Sequence, residues 1–480
     1  MSASLFGTDG VRGRAGEFLS AELALILARA AVEEARADLC GRGVRATTDR
    51  SLATLDGVAG ESQAGAAAEP RPQVLIVRDT RESGEMLEAA IAAGVTAAGG
   101  DVLLAGVLPT PAAPLLLRRH GLQLAAVISA SHNPFEDNGI KLFAGDGFKL
   151  SDEQEARIEQ RMAADATISP LSPRTAPMVI GRVRRLHGAL EDYLRELHAR
   201  FQELDLQGRR ILLDCAHGAT YRAAPEIFRR LGAHVEVIAD QPDGRNINDA
   251  VGSTHTEALR ERMAEGDYDA GFAFDGDGDR VLAVDRKGAL VDGDELIAIA
   301  AAHYQRSGVE TGVAVTVMTN YGFHTAMREA GIEVATTAVG DRYVMEELRR
   351  RQWRLGGEQS GHIIDLGFGP SGDGIASALL ILEALGKGDL ADPRAMTKLP
   401  QKLVNIRAAS RERLSSAMDS ELLSAAVASV DSGLAGRGRV LVRASGTEPL
   451  IRVMVEAPSL AETDQLCAEL AAVVEQALAS

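Results

Sequence analysis

Three short stretches, far apart in the chain, carry residue types that one reaction would need together. Ser129-Ala130-Ser131-His132-Asn133-Pro134 offers an exposed hydroxyl in a turn. Asp275-Gly276-Asp277-Gly278-Asp279-Arg280 packs three carboxylates into five residues, directly after the apolar run 270–274. Arg443-Ala444-Ser445-Gly446-Thr447-Glu448-Pro449 is a small-residue loop rimmed by Arg443 and Arg452. A nucleophile, a nest of oxygen ligands for a divalent cation and an anion clamp together read as phosphoryl transfer.

Each stretch also has a plainer reading. Ser131 follows the apolar run 124–128, at a strand end where ligands of α/β sheets bind. Pro134 keeps the preceding residues extended or in a turn, so the same residues would also serve as a simple turn or helix cap. Lys141 follows a glycine turn nearby. It would contact a phosphate, or act as an acid or base if its pKa were lowered. The aspartate cluster is not an EF-hand, because Arg280 stands where that loop needs Gly and Arg286 where it needs Glu. A phosphatase with a nucleophilic and an acid–base Asp two residues apart would explain Asp275 and Asp277 only. A Mg²⁺ held by Asp275, Asp277, Asp279 and a phosphoserine oxygen at Ser131 explains more. The 443–452 loop is an anion nest beside two guanidiniums, or an ordinary β-turn with surface arginines. Gly7-Thr8-Asp9-Gly10-Val11-Arg12-Gly13 suits close approach of a phosphate to Arg12, or a flexible turn. Glu358 and Ser360, in Gly357-Glu358-Gln359-Ser360-Gly361-His362, would grip sugar hydroxyls or an amino group. A lone histidine such as His362 is more often structural.

The elements that must carry these residues recur at domain scale. Strand, helix and strand follow one another from residue 74, from 211 and from 313. That order gives parallel pairing through a right-handed crossover. Three similar α/β domains with mixed sheets are expected, over 1–178, 179–293 and 294–400, closed by an α+β domain over 401–480. Residues 42–71 are rich in Gly, Ala, Ser and Thr without a period and read as a flexible insertion. Proline-rich stretches near 169–177 and 392–400 read as linkers.

A chain of 480 residues is too long for one core. With 46% hydrophobic and 25% charged residues it is an ordinary globular composition. The formal charge of -17 argues against nucleic acid or an anionic membrane as partner. The three cysteines, Cys40, Cys215 and Cys467, lack metal or redox spacing and suit a reducing compartment. No signal-peptide layout or membrane-length apolar run is present, so the expected location is the cytoplasm.

Residues 7–13, 128–141, 275–280, 340–344 (Gly-Asp-Arg-Tyr-Val), 357–362 and 443–455 stand in the order and wording of the α-D-phosphohexomutase superfamily, which the chain resembles over essentially its whole length. The resemblance implies a four-domain fold around a central cleft. It implies that Ser131 is a phosphoserine required for activity, that one Mg²⁺ per site is held by Asp275, Asp277 and Asp279 with the phosphoserine, and that Lys141 and Arg12 assist proton transfer there, with His132 beside them. It places Glu358, Ser360 and His362 on the sugar and Arg443, Ser445, Gly446, Thr447 and Arg452 on the non-reacting phosphate, with Arg280 at the cleft. The wording of the motifs favours the branch acting on glucosamine phosphates. That branch interconverts glucosamine 6-phosphate and 1-phosphate through a 1,6-bisphosphate, supplying UDP-N-acetylglucosamine for cell-wall synthesis. A hexose 1,6-bisphosphate or another phosphoryl donor is the expected activator, and a homodimer is compatible with the sequence. The alternatives are a phosphomannomutase or phosphoglucomutase and a non-catalytic sugar-phosphate-binding protein. Binding alone would need no nucleophile at Ser131. The insertion at 42–71 is longer than the superfamily usually has.

Overall fold

The structure is a computed structural model that describes residues 5–7, 9–41, 71–166, 179–392, 395–445 and 449–479. The expected insertion (apart from Arg71) and the linker 169–177 lie outside the described residues.

The described strands form four sheets. The first holds β1 (Val11–Arg14), β2 (Gln73–Arg78), β3 (Asp101–Val107), β4 (Leu124–Ile128), β5 (Asp137–Ala144) and β6 (Val183–Arg185), in the order β1-β5-β4-β2-β3-β6. The second holds β7 (Arg210–Asp214), β8 (His234–Ile238), β9 (Ala270–Phe274), β10 (Val281–Asp285) and β11 (Leu290–Val291), in the order β11-β10-β9-β7-β8. The third holds β12 (Val313–Thr316), β13 (Val334–Thr337), β14 (Leu355–Gly357) and β15 (Ile363–Asp365), in the order β13-β12-β14-β15. The fourth is antiparallel, with β16 (Gln401–Arg407), β17 (Arg439–Ala444) and β18 (Leu450–Glu456) in the order β16-β18-β17.

The three strand–helix–strand repeats fold as parallel pairs: β2 with β3, β7 with β8, β12 with β13. Antiparallel strands at one side make each of these sheets mixed. The second strand of the third repeat begins at Val334, because Gly331 in the left-handed region and Ile332, bonded back to Met327, still form the turn out of the helix. β6 continues the first sheet past residue 178 by pairing with β3.

Alternation along the strands explains the layering. Leu75 and Val77 enter one core cluster, Val74 and Ile76 another. Ile211 and Leu213, and then Val313 and Val315, join the cluster of Leu75, so one face of each α/β sheet packs into a common core. The fourth domain has its own core, centred on Ile451, Val453, Val455, Cys467 and Leu470. It docks on the third through Arg439, whose guanidinium bonds Glu456 and donates to the carbonyls of Val317 and Thr319. Among the described residues, no helix is long and apolar enough to cross a membrane. Cys215 and Cys467 are buried free thiols, and burial pushes both pKa values up, which fits a structural role.

Candidate active site

The site lies past the carboxyl ends of parallel strands, as expected for α/β sheets. Ser131 follows β4, Asp275 follows β9 and Glu358 follows β14. The sequence suggested an exposed serine; in the structure Ser131 is only 1% exposed. The aspartate loop of the second domain closes over it. The Ser131 hydroxyl donates to Asp275 Oδ2 at 2.6 Å, and His132 Nδ1 lies 3.2 Å from Ser131 Oγ. Burial, then Arg280 and Arg12, lower the His132 pKa to about 4. Ser131 itself has φ 54°, a left-handed conformation uncommon for a residue with a Cβ.

Asp275, Asp277 and Asp279 converge, with one oxygen from each inside a 4.8 Å span. Gly278 has φ 72°, which bends the loop so that successive carboxylates meet. Asp277 Oδ2 accepts from Thr110 at 2.6 Å and from Lys141 at 2.9 Å. Asp277 Oδ1 is buried without a partner, and Asp279 Oδ1, buried too, has no hydrogen bond within normal distance but faces His362 Nδ1 at 3.6 Å and Arg280 Nε at 3.8 Å. Burial, then Asp279 and Asp277, push the Asp275 carboxyl well above the usual carboxylate range. The unpartnered oxygen and the mutual repulsion fit a hard divalent cation with oxygen ligands.

The aspartate loop belongs to a closed circuit of charge across three domains. Lys141 reaches Asp9 at 3.2 Å and Asp279 at 3.5 Å. Asp9 pairs with Lys149, and Lys149 with Asp341 at 2.6 Å. His362 stands between Asp341, at 3.8 Å, and Asp279, at 3.6 Å. Burial favours a neutral Lys141, but Asp277, Asp9 and Asp279 outweigh it and hold the pKa well above the ordinary lysine range. A lowered pKa, the condition set for Lys141 as an acid or base, is therefore not what its surroundings produce. Around Arg12, likewise, burial opposes the charge, but Asp9 and Asp277 raise its pKa. It pairs with Asp9 from β1, opposite Gly139 on β5.

A cleft of about 590 Å³ opens beside this circuit, lined by Arg12, Asp279, Arg280, Glu358 and His362 among others. Arg12 Nε and Arg280 Nε are buried without an acceptor. Glu358 accepts from the backbone N–H of Gly340 at 2.9 Å, which ties the 357–362 loop to the Gly340-Asp341-Arg342 turn. Ser360 is exposed and is not part of the cleft lining.

Arg443 on β17 and Arg452 on β18 are cross-strand partners. Arg443 Nη2 contacts Met318 Sδ at 3.8 Å, and Arg452 Nε is buried without an acceptor. Ser445 donates its backbone N–H to Leu450, while Gly446 and Thr447 lie outside the described residues.

Sequence reasoning missed three residues that bind the serine loop or the metal loop: Arg81, Asn248 and Thr110. Asp79-Thr80-Arg81 follows β2 just as Ser129-Ala130-Ser131 follows β4, and β2 and β4 are parallel neighbours. That adjacency was the available signal.

Family models described as phosphoglucomutase/phosphomannomutase α/β/α domains I, II and III and C-terminal domain match residues 42–168, 191–288, 292–403 and 403–473. A phosphoglucosamine mutase of Parafrankia sp. is 47% identical, covering 99% of this chain and 100% of the relative. One from Alcanivorax borkumensis is 44% identical and covers 100% of both chains. Among solved structures, a phosphoglucomutase/phosphomannomutase family protein from Burkholderia thailandensis superposes with TM-score 0.77 at 22% identity, over 99% of this chain and 98% of that one. An Aspergillus fumigatus N-acetylphosphoglucosamine mutase, in complex with GlcNAc-6P and magnesium, gives TM-score 0.59 at 20% identity, over 76% and 92%. With the same four domains in the same order and full-length identity well above 40%, the chain belongs to the phosphoglucomutase/phosphomannomutase family, among its phosphoglucosamine mutases.

Proposed function

We propose that the protein interconverts glucosamine 6-phosphate and glucosamine 1-phosphate, with Ser131 as the phosphoryl carrier. The observation that carries this reading is the Ser131 hydroxyl, 2.6 Å from the first carboxylate of a converging triad in which Asp277 Oδ1 is buried without a partner. Binding would need no such pairing. The relatives named phosphoglucosamine mutase support the choice of sugar.

Asp275, Asp277 and Asp279 would hold the cation, which we take to be Mg²⁺, together with a phosphoserine oxygen. When bound it would offset charge on the transferring phosphoryl group. The free hydroxyl of the sugar phosphate attacks phosphoserine. The bond from phosphorus to Ser131 Oγ breaks as the bond to the sugar oxygen forms. The sugar hydroxyl loses its proton as Ser131 Oγ, the leaving oxygen, gains one, and His132, whose Nδ1 lies 3.2 Å from Ser131 Oγ, is placed to deliver it there. The resulting 1,6-bisphosphate reorients, and its other phosphoryl group returns to Ser131 as the proton returns to the product hydroxyl. Lys141, Arg12 and Arg280 supply fixed positive charge around the transfer. Glu358, with its loop, orients the sugar. Arg443, Ser445 and Arg452, with Gly446 and Thr447, hold the phosphate that does not react. A hexose 1,6-bisphosphate would prime Ser131.

The test is turnover of glucosamine, glucose and mannose phosphates compared by kcat/KM. Preference for glucosamine phosphate is expected. Equal or higher kcat/KM on mannose or glucose phosphate would move the assignment to another branch.

A further inference from the structure

The backbone of Ser131 is fixed at both ends, through Ser129 of its own motif and through Asp79, Arg81 and Asn248 outside the motifs above. Its N–H donates to Ser129 Oγ at 2.9 Å, and Ser129 Oγ donates to Asp79 Oδ2 at 2.6 Å. Arg81 Nε donates to the same Asp79 oxygen at 2.8 Å. Arg81 Nη2 returns to the Ser131 carbonyl at 2.9 Å, which closes the circuit. The remaining guanidinium donors go to the carbonyls of Asn133, Pro134 and Asp137. All of the N–H donors of the side chain are used, and Arg81 and Asp79 are fully buried. The Ser131 carbonyl has a second donor from another domain. Asn248 Nδ2 lies 2.9 Å from it and 3.0 Å from the Asn133 carbonyl. Gly276, in the metal loop, leaves room for this amide: a Cβ there would stand 2.6 Å from Ser131 O and 2.7 Å from Asn248 Nδ2.

We propose that Arg81 and Asn248 are positioning residues of the phosphoryl carrier: together they hold Ser131 in its left-handed conformation and so keep Oγ aimed at the aspartate loop. A left-handed non-glycine residue persists only where its surroundings over-determine it. Here the determinants come from two domains, so carrier geometry depends on how the second domain seats on the first. This rests on Ser131 being the carrier.

Two substitutions test it. Asn248 itself has φ 59°, so Asn248→Gly removes the amide without straining the backbone. Arg81→Lys keeps the charge beside Asp79 but cannot reach several carbonyls from one ammonium. Intact mass after incubation with glucose 1,6-bisphosphate gives phosphoserine formation, and kinetics give kcat and KM per folded, phosphorylated enzyme. Asn248→Gly is expected to lower kcat about tenfold with KM within about twofold, and Arg81→Lys to lower it further. A purely structural role would lower the folded fraction and leave kcat per folded enzyme intact. Wild-type kcat in both variants on that basis overturns the proposal. Wild-type protein that never gains a phosphoryl group at Ser131 overturns the carrier reading as well, and the wild-type mass alone separates the two outcomes.

Discussion

Arg443 stands directly opposite Arg452 where β17 and β18 pair. Opposed residues share a face of the sheet, and like charges there are destabilising. Burial and then Arg452 lower the pKa of Arg443. Such a pair is satisfied by a doubly charged anion. If both phosphates of the sugar use this clamp in turn while Ser131 stays in place, Arg443→Ala should impair the forward and reverse reactions alike. The loss of a charge-assisted hydrogen bond, about 1.5–3 kcal/mol, corresponds to roughly ten- to hundredfold in kcat/KM. The variant should also need more added bisphosphate to stay phosphorylated. A defect in one direction only, with unchanged bisphosphate dependence, would show two separate phosphate sites.

Ser131→Ala should leave the fold intact and abolish turnover. The side chain is buried, but the substitution removes only an oxygen whose bond to Asp275 the bound cation would replace. Intact-mass measurement should find a phosphorylated fraction in the wild type and none in the variant. Wild-type turnover by Ser131→Ala would sink the carrier mechanism.

The strand ends that carry chemistry were legible because polar clusters there interrupt apolar runs. Ser131 and Asp275 follow such runs, at 124–128 and 270–274, whereas Glu358 follows only Leu355-Gly356-Gly357 and was marked by its polar loop alone. The burial of Ser131 was not legible, since it arises from a loop 144 residues away folding over it. Nor were Arg81 and Asn248. Their partners are backbone carbonyls, which leave no mark on side-chain pattern, at separations of 50 and 117 residues. The surroundings of Lys141 were not legible for a related reason. Its carboxylate neighbours are Asp9, in the turn before β1, and Asp277 and Asp279 from the second domain, and no local window contains them.

Asp277→Asn should lower kcat more than it raises KM, because charge on the transferring group is greatest in the transition state. The substitution replaces one carboxylate oxygen by an amide nitrogen beside Lys141 and Thr110, and removes a charge from the cation site. Thermal stabilisation of the unphosphorylated protein by Mg²⁺ should weaken in parallel. Unchanged kcat and an unchanged Mg²⁺ effect on Tm would make the cluster structural.

Asp294 gives the protein a pH-dependent stability of its own, away from the cation loop. It lies in the first turn of the helix Gly293–Arg306, buried, with Oδ2 accepting from the Asn320 N–H at 2.8 Å and Oδ1 unpartnered. Burial, then Asp292, push its pKa up to about 7; the Asn320 N–H, the nearby Thr319 hydroxyl and, least, Lys398, held mainly by Asp292 and Glu295, offset this only in part. An unfolded chain ionises the same group near about 3.9. Between these values the folded state keeps a proton that the unfolded state releases, so this residue's contribution falls as pH rises from about 4 to about 7 and is then constant. Asn in its place needs no proton: its oxygen can keep the Asn320 bond and its NH₂ can fill the unpartnered side. Asp294→Asn should therefore gain Tm relative to wild type as pH rises from 5 to 8, by about 2 °C or more, with no further gain above. Parallel Tm curves for the two proteins across that range would mean that Asp294 is already ionised in the folded state at pH 5.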